Sequence, residues 1–171
     1  MKKLSLFTVF ALGLILMAGS AFAASDSKSL NVTATVNSSA KLTLGAATLT
    51  FPDSDPDTVP SIAATEGAIS VNAKAKTGSL SSVTLEVRSS GGSAGDLVSG
   101  SDIIPISNLS WAGAGIGFVA GPTSMTNANQ SAASWTGSGN RNGTQTFSLV
   151  NSWSYAAGTY IATITYTLTS P

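Results

Sequence analysis

Three alternating aspartates have the type and spacing that suit a hard metal ion. Asp53, Asp55 and Asp57 lie in FPDSDPDTVP, residues 51–60, where three prolines indicate a loop. Calcium binds several carboxylate oxygens that converge from alternate positions of such a loop. A Ca2+ site is therefore one interpretation of this segment.

The EF-hand pattern is incomplete around these aspartates. Thr58 occupies the sixth position, where glycine is required, and Ala64 the twelfth, where a bidentate glutamate is required. Glu66 is a candidate ligand from further along the chain. A solvated turn is the favoured interpretation of the loop, with calcium binding as the alternative.

Three tryptophans suit a different kind of binding. Trp111, Trp135 and Trp153 are each flanked by small, mostly polar residues, as exposed platforms that stack on sugars can be. Large aromatic side chains also fill the core of a β-protein. We favour the core-filling interpretation, and a carbohydrate-binding module is the alternative.

Catalytic chemistry has little support in the composition. The chain contains no histidine and no cysteine, which removes the commonest general base, a common metal ligand and the thiol nucleophile. Its serines have no recognisable base partner, and no pair of carboxylates suggests a glycosidase cleft. We therefore expect a protein that is not an enzyme.

The first residues are typical of a secretory signal peptide. A basic start precedes an apolar run from Leu4 to Met17 and an A-x-A cleavage signal at residues 21–23. We predict that residues 1–23 form a helical signal peptide that is removed on export, leaving no membrane segment. Without its two lysines, six basic and eight acidic residues give a net charge of −2, which does not favour nucleic acid or an anionic membrane as partner.

The segment GTYIATITYTLTSP, residues 158–171, has the period of two that predicts a half-buried β-strand. Its apolar face carries Tyr160, Ala162, Ile164, Tyr166 and Leu168. Threonines occupy the opposite face, and Ile161 is out of step. β-Branched and aromatic residues suit such a pleated surface.

Residues 29–36, SLNVTATV, repeat this pattern near the predicted cleavage site. One face carries Leu30, Val32, Ala34 and Val36. The polar segment Asn37-Ser38-Ser39 separates this predicted strand from the next. We therefore predict an N-terminal extension over residues 24–37 and a β-domain over residues 38–171.

Further strands are predicted between these two. Residues 68–76 and 83–87 alternate in the same way around Thr77-Gly78-Ser79, which predicts a hairpin in which a lysine of the first strand faces Glu86. Short strands separated by turn signals continue along the chain, without a helical period after the leader. These features predict an all-β fold, an antiparallel Greek-key sandwich of the immunoglobulin type.

Three segments resemble spore coat protein U domains and the archaic chaperone-usher pilins. They are LNVTATVNSSAKLTLG near the start of the mature chain, ISVNAKAKTGSLSSVTLEV at residues 69–87 and GTYIATITYTLTSP at residues 158–171. The resemblance implies a pilin-like sandwich. It also places the family's disulfide at Ala40 and Ala73, so that this chain would lack the bridge.

In those families each subunit lacks one strand of its own sandwich, and the N-terminal extension of the next subunit fills the gap. Carried onto this sequence, the donated side chains would be Leu30, Val32, Ala34 and Val36. The acceptor groove would be lined by Tyr160, Ile164, Tyr166 and Leu168. The resemblance thus implies a structural subunit of a bacterial surface fibre, pilus or coat, of the kind that serves adhesion and biofilm formation.

The resemblance also implies partners and a location. Copies of this or a homologous subunit would bind head to tail, a periplasmic chaperone and an outer-membrane usher would assist, and the fibre would be extracellular or on the cell surface. No cofactor beyond the candidate Ca2+ is implied. The alternative is a monomeric exported module that binds carbohydrate or calcium, in which the first strand pairs within its own domain.

Overall fold

The computed structural model describes residues 25–171 and shows an all-β chain. Its strands are β1 (Ser39–Leu44), β2 (Ser61–Ala63), β3 (Ile69–Lys76), β4 (Ser82–Ser90), β5 (Leu97–Ser99), β6 (Asp102–Ile104), β7 (Leu109–Ala114), β8 (Thr123–Ser124), β9 (Gln130–Thr136), β10 (Gly139–Val150) and β11 (Thr163–Thr169). Within these residues the only helical element is a 3₁₀ turn at Ile106–Asn108. The predicted all-β antiparallel class is confirmed. The predicted signal peptide, residues 1–23, lies outside the described residues.

The described chain comprises two units, residues 25–35 and residues 36–171. The first has no helix or strand, and its Leu30 and Val32 are 88% and 84% exposed. An isolated β-segment is not stable in water, because its backbone lacks a partner ladder and its apolar face lacks a core. The structure therefore differs from the strand predicted over residues 29–36.

Residues 36–171 form two main antiparallel sheets. The strand order of the larger sheet is β1-β3-β10-β7-β8, with β2 also paired to β10, and that of the smaller sheet is β11-β4-β9. β5 and β6 form a separate two-stranded ribbon. β1 and β11 are thus edge strands of different sheets.

The core lies between the inner faces of the two sheets. The buried side chains of β3 and β4 are Ile69, Val71, Ala73, Ala75, Val83, Leu85 and Val87. The apolar faces predicted for these two segments are confirmed. Trp111 of β7 and Phe147 of β10, which are almost completely buried, supply much of the remaining volume.

β3 and β4 do not form the predicted hairpin. β3 pairs with β1 and β10, whereas β4 pairs with β11 and β9 in the other sheet. The connection between them crosses from one sheet to the other, because only then can both apolar faces pack against each other. Glu86 consequently lies between Thr167 and Ser131, and its carboxylate accepts a hydrogen bond from Asn129 at 2.9 Å.

The connection from β9 to β10 makes the same crossing. It turns at Gly137, whose φ of +75° lies in the left-handed region that favours glycine. β10 begins directly afterwards at Gly139 and runs for 12 residues, pairing with β2, β3 and β7. This long strand therefore organises the larger sheet.

The register of β1 and β3 shows which alanines lie opposite each other. Ala40 lies directly opposite Ala75, whereas Ala73 lies opposite Leu42. The alternating pattern identifies which side chains share a face but leaves a shift of two residues undetermined. Of the two alanines of β3, Ala75 is therefore the one directly opposite Ala40.

A cysteine pair tests this register. Ala40→Cys combined with Ala75→Cys should form a disulfide on mild oxidation, because directly opposite residues have Cα atoms about 4.5 to 5.5 Å apart. Closing this loop should stabilise the domain by about 3 to 4 kcal/mol in urea unfolding. Ala40→Cys with Ala73→Cys is the matched control and should remain reduced on a non-reducing gel. A disulfide in the control pair alone would show that the register is wrong.

Candidate functional site

The inner faces of the two sheets lose their cover at the edge strands β1 and β11. Leu85 of β4 is fully buried, yet Leu168, directly opposite it on β11, is only half-buried. In the other sheet Val71 of β3 is 1% exposed, whereas its β1 partner Leu44 is half-buried. Both sheets therefore end in apolar side chains that are incompletely covered.

A groove of about 690 Å³ lies between these edges. The end of β1 and the loop after it form one wall, residues 158–166 form the other, and core side chains form the floor. The main apolar side chains of the two walls are Leu44, Leu49, Phe51, Tyr160, Ile164 and Tyr166. Within the described chain, Asp53 is the single residue in this lining that carries a formal charge.

β11 offers its backbone as well as its side chains. It pairs with β4 along one edge from Thr163 to Thr169, and no strand of the described chain pairs with its other edge. Unpaired N–H and C=O groups along an edge are a template for another strand. The site can therefore hold an extended segment that pairs with β11 and places alternate side chains in the groove.

Three of the four predicted acceptor residues line this groove, namely Tyr160, Ile164 and Tyr166. Leu168 is half-buried against the core and is not part of the lining. The regular strand also begins later than predicted from residue 158, because Ile161 forms an isolated bridge to Val98 of β5.

The opposite wall was not identified from the sequence. Leu49 and Phe51 lie in irregular backbone, where side chains have no fixed period that a pattern could reveal. The Thr50 N–H donates to the Glu66 carboxylate at 2.9 Å, which ties this wall to the turn before β3. That hydrogen bond also lowers the pKa of Glu66, the residue considered above as a distant calcium ligand.

Tyr166 connects the groove to the buried core. Its hydroxyl donates to Oε1 of Gln145, a β10 residue that is fully buried. Burial raises the pKa of the Tyr166 phenol, so the hydroxyl stays protonated and remains a donor. The Nε2 atom of Gln145 has no hydrogen-bond partner among residues 25–171.

The aspartate loop, residues 51–60, uses two of its carboxylates within the fold. Asp55 Oδ1 accepts the Asp57 N–H at 2.9 Å, and Asp57 Oδ1 accepts the indole N–H of Trp153 at 3.1 Å. Asp53 instead lines the groove. Across residues 25–171, no three His, Cys, Asp or Glu side chains are grouped as a metal site requires.

The tryptophans do not form a common platform. Trp111 and Trp135 are 1% and 8% exposed, as the core-filling interpretation expects, whereas Trp153 is 71% exposed. The guanidinium of Arg141 lies 5.7 Å from the Trp135 ring centroid, within the range of a cation–π contact. Of the three, only Trp153 presents an indole ring to solvent.

Comparison of the chain with protein-family models, curated proteins and solved structures gave no significant match. The resemblance to coat-protein and pilin domains therefore rests on the three sequence segments quoted above. Within residues 25–171, no helix is long and apolar enough to cross a bilayer.

Tyr166→Phe should lower the free energy of unfolding by about 1 to 3 kcal/mol, because it leaves the buried Gln145 carbonyl without a donor. Tyr160→Phe is the matched control: its hydroxyl donates to the Ala156 carbonyl at an exposed position, so the loss should stay within about 0.5 kcal/mol. Urea unfolding monitored by tryptophan fluorescence measures both variants. Equal losses would contradict a buried role for the Tyr166 hydroxyl.

Proposed function

We propose that this protein is a secreted structural subunit of a bacterial surface fibre, pilus or coat, assembled by donor-strand complementation. The observation that carries the proposal is the apolar groove beside the unpaired edge of β11. A strand supplied by another copy would fill the groove and extend the smaller sheet. The finer description of the fold, a Greek-key immunoglobulin-like sandwich that lacks one strand, is part of the same proposal.

The N-terminal extension has the pattern that such a groove requires. Leu30, Val32, Ala34 and Val36 share one face of an extended chain, and this two-residue period matches pockets along a groove. Leu30 and Val36 are 88% and 76% exposed, so the free energy of burying them is still available. Each Val or Leu side chain contributes roughly 1.5 to 3 kcal/mol on burial, before the cost of ordering the segment.

Strand direction favours a neighbour's segment over the chain's own. β11 ends beside the start of β1. The Pro171 carbonyl, just after β11, accepts a hydrogen bond from the Thr77 hydroxyl. Thr77 directly follows Lys76, the β3 residue that lies opposite Ser39 at the start of β1. Residues 30–36 folded back from β1 would therefore run parallel to β11. Such a fold-back would also need a tight turn at Asn37-Ser38, which lacks the glycine that tight hairpins favour.

A segment from another copy that enters at the start of β11 runs antiparallel to it. Every strand pair of residues 36–171 is antiparallel, and antiparallel ladders are slightly more stable per residue. Donation that passes from copy to copy does not close on itself, so it generates a fibre. The direction of β11 thus supports head-to-tail assembly.

The same proposal assigns further partners and a location. An apolar groove that is open before assembly favours unspecific aggregation of subunits, so a periplasmic chaperone would cover it. An outer-membrane usher would then accept the subunit. The fibre would lie on the cell surface or outside the cell. The alternative of a carbohydrate or calcium module has less support, because Trp111 and Trp135 are buried and the loop carboxylates are not grouped.

Removal of residues 24–37 should abolish fibres and leave monomeric or chaperone-bound subunits, because the groove would then have no donor. Negative-stain electron microscopy and sedimentation velocity of the purified mature protein provide the measurement. Addition of a synthetic peptide covering residues 29–37 should raise the melting temperature of the truncated protein. Fibres formed by the truncated protein would overturn the donor role.

Substitutions on the two faces of the extension should have opposite outcomes. Val32→Asp places a carboxylate on the apolar face and should prevent assembly, because burial of an unpaired charge in the groove costs several kcal/mol. Thr33→Asp places the same charge on the outer face and should leave fibres intact. Light scattering and electron microscopy of the two full-length variants distinguish these outcomes. Equal assembly of both would contradict the assigned face.

A further inference from the structure

Three lysines surround a recess at one end of the larger sheet. Lys41 of β1 lies directly opposite Lys74 of β3, and Lys76 lies opposite Ser39. All three side chains are exposed and line a recess of about 430 Å³ that contains no acidic residue in its lining. We call this site the lysine recess.

The aspartate loop lies at the opposite end of the same sheet. The side-chain amide of Asn151, directly after β10, donates to the carbonyls of Ser54 and Val59 in that loop at 2.9 and 3.0 Å. The lysine recess borders the other end of β10, at Gly139. The 12 residues of β10 separate the two sites by roughly 35 Å, at 3.2 to 3.4 Å per residue.

The two charged sites cannot neutralise each other within one copy. Their separation is several times the Debye length of about 8 Å at physiological ionic strength. Among residues 25–171 the only ion pair joins Lys28 to Asp26. Repulsion between Lys41 and Lys74, which face each other across two strands, is therefore not relieved within the chain.

We propose that the lysine recess of one copy docks on the aspartate loop of the next copy in the fibre, an inference that rests on the function proposed above. Only Asn37 and Ser38 separate the donor residue Val36 from β1, whose Ser39 lines the recess. The three Cα–Cα steps from Val36 to Ser39 span at most about 11 Å. A donated strand therefore holds the recess of its own copy close to the groove that it fills.

The direction of the donated strand sets which end of the acceptor this recess meets. In an antiparallel donor, Val36 lies near the start of β11. Pro171 and Thr77, which lie beside the lysines, are at the opposite end of β11. The start of β11 is instead at the end of the domain that carries the aspartate loop. Asp53 also lines the groove there. Strand donation thus brings opposite charges of two copies together and relieves the repulsion at both sites.

Single charge reversals in the full-length mature protein test this docking. Lys76→Glu should slow fibre elongation about tenfold at low salt, since complementary charge accelerates association. Arg88→Glu is the matched control, because Arg88 is an exposed residue of β4 and the change in net charge is the same. The control should elongate at the wild-type rate. Elongation is measured by light scattering at about 20 and 500 mM NaCl, and the difference should disappear at the higher salt.

A substitution at the other charged site tests the same docking from the opposite side. Asp55→Asn keeps an oxygen that can accept the Asp57 N–H and should also slow elongation at low salt, because it removes opposite charge from the site that the lysine recess meets. The net charge of residues 24–171 changes from −2 to −1 in this variant and to −4 in Lys76→Glu. A general effect of net charge would therefore move the two rates in opposite directions, whereas docking between copies slows both.

The outcomes distinguish this inference from the function on which it rests. If the wild-type protein forms no fibres, or forms them without residues 24–37, the donor-strand proposal fails and the docking inference fails with it. If fibres require those residues but Lys76→Glu elongates like Arg88→Glu, only the docking inference is overturned. It is likewise overturned if Lys76→Glu abolishes binding to vesicles of anionic phospholipid while leaving elongation unchanged.

Discussion

In a pair of packed β-sheets, an inner side chain of one sheet is buried only where a strand of the facing sheet covers it. In this chain that condition holds at β3, β4, β7, β9 and β10, whose inner side chains are buried. It fails between the edges β1 and β11, where Leu44 and Ile164 are half-buried at the walls of a groove. The free energy that completing this core would release is what makes the groove a candidate binding site.

The groove is held in shape before anything enters it. The hydrogen bond from Tyr166 to the buried Gln145 fixes β11 against the larger sheet, and the bond from Thr50 to Glu66 fixes the opposite wall. A site formed in advance loses less free energy to ordering when a segment binds. In the proposed assembly the ordering cost would therefore fall mainly on the donated segment, because residues 25–35 have no helix or strand.

The sequence predicted the faces of the strands better than their partners. Alternation identified the buried sides of β3 and β4 and the half-buried side of β11, because a period of two follows directly from strand geometry. It could not show that β3 and β4 belong to different sheets, since a hairpin and a crossing between sheets have the same local pattern. Leu49 and Phe51 were missed for another reason: the backbone that carries them is irregular, and only the folded chain brings them opposite Ile164.

Charge added information that hydrophobic pattern alone did not contain. A lysine of β3, Lys74 or Lys76, was expected to face Glu86. The crossing between sheets instead leaves both lysines without an acidic neighbour in the lining of their recess. β3 carries these lysines beside the start of β10, whereas Asn151, after the end of β10, holds the aspartate loop. The distance between the two charged sites is therefore set by the pairing of strands with β10. Only the three-dimensional arrangement therefore shows that the two charged sites lie at opposite ends of the domain.

The length of β10 has a mechanical consequence. In a fibre joined as proposed, a pulling force would enter each subunit near one end of this strand and leave near the other. β10 is held along its length by ladders to β2, β3 and β7, so the load would act parallel to these strands. Many backbone hydrogen bonds would then have to break together in shear, whereas a force across the strands would open them one at a time.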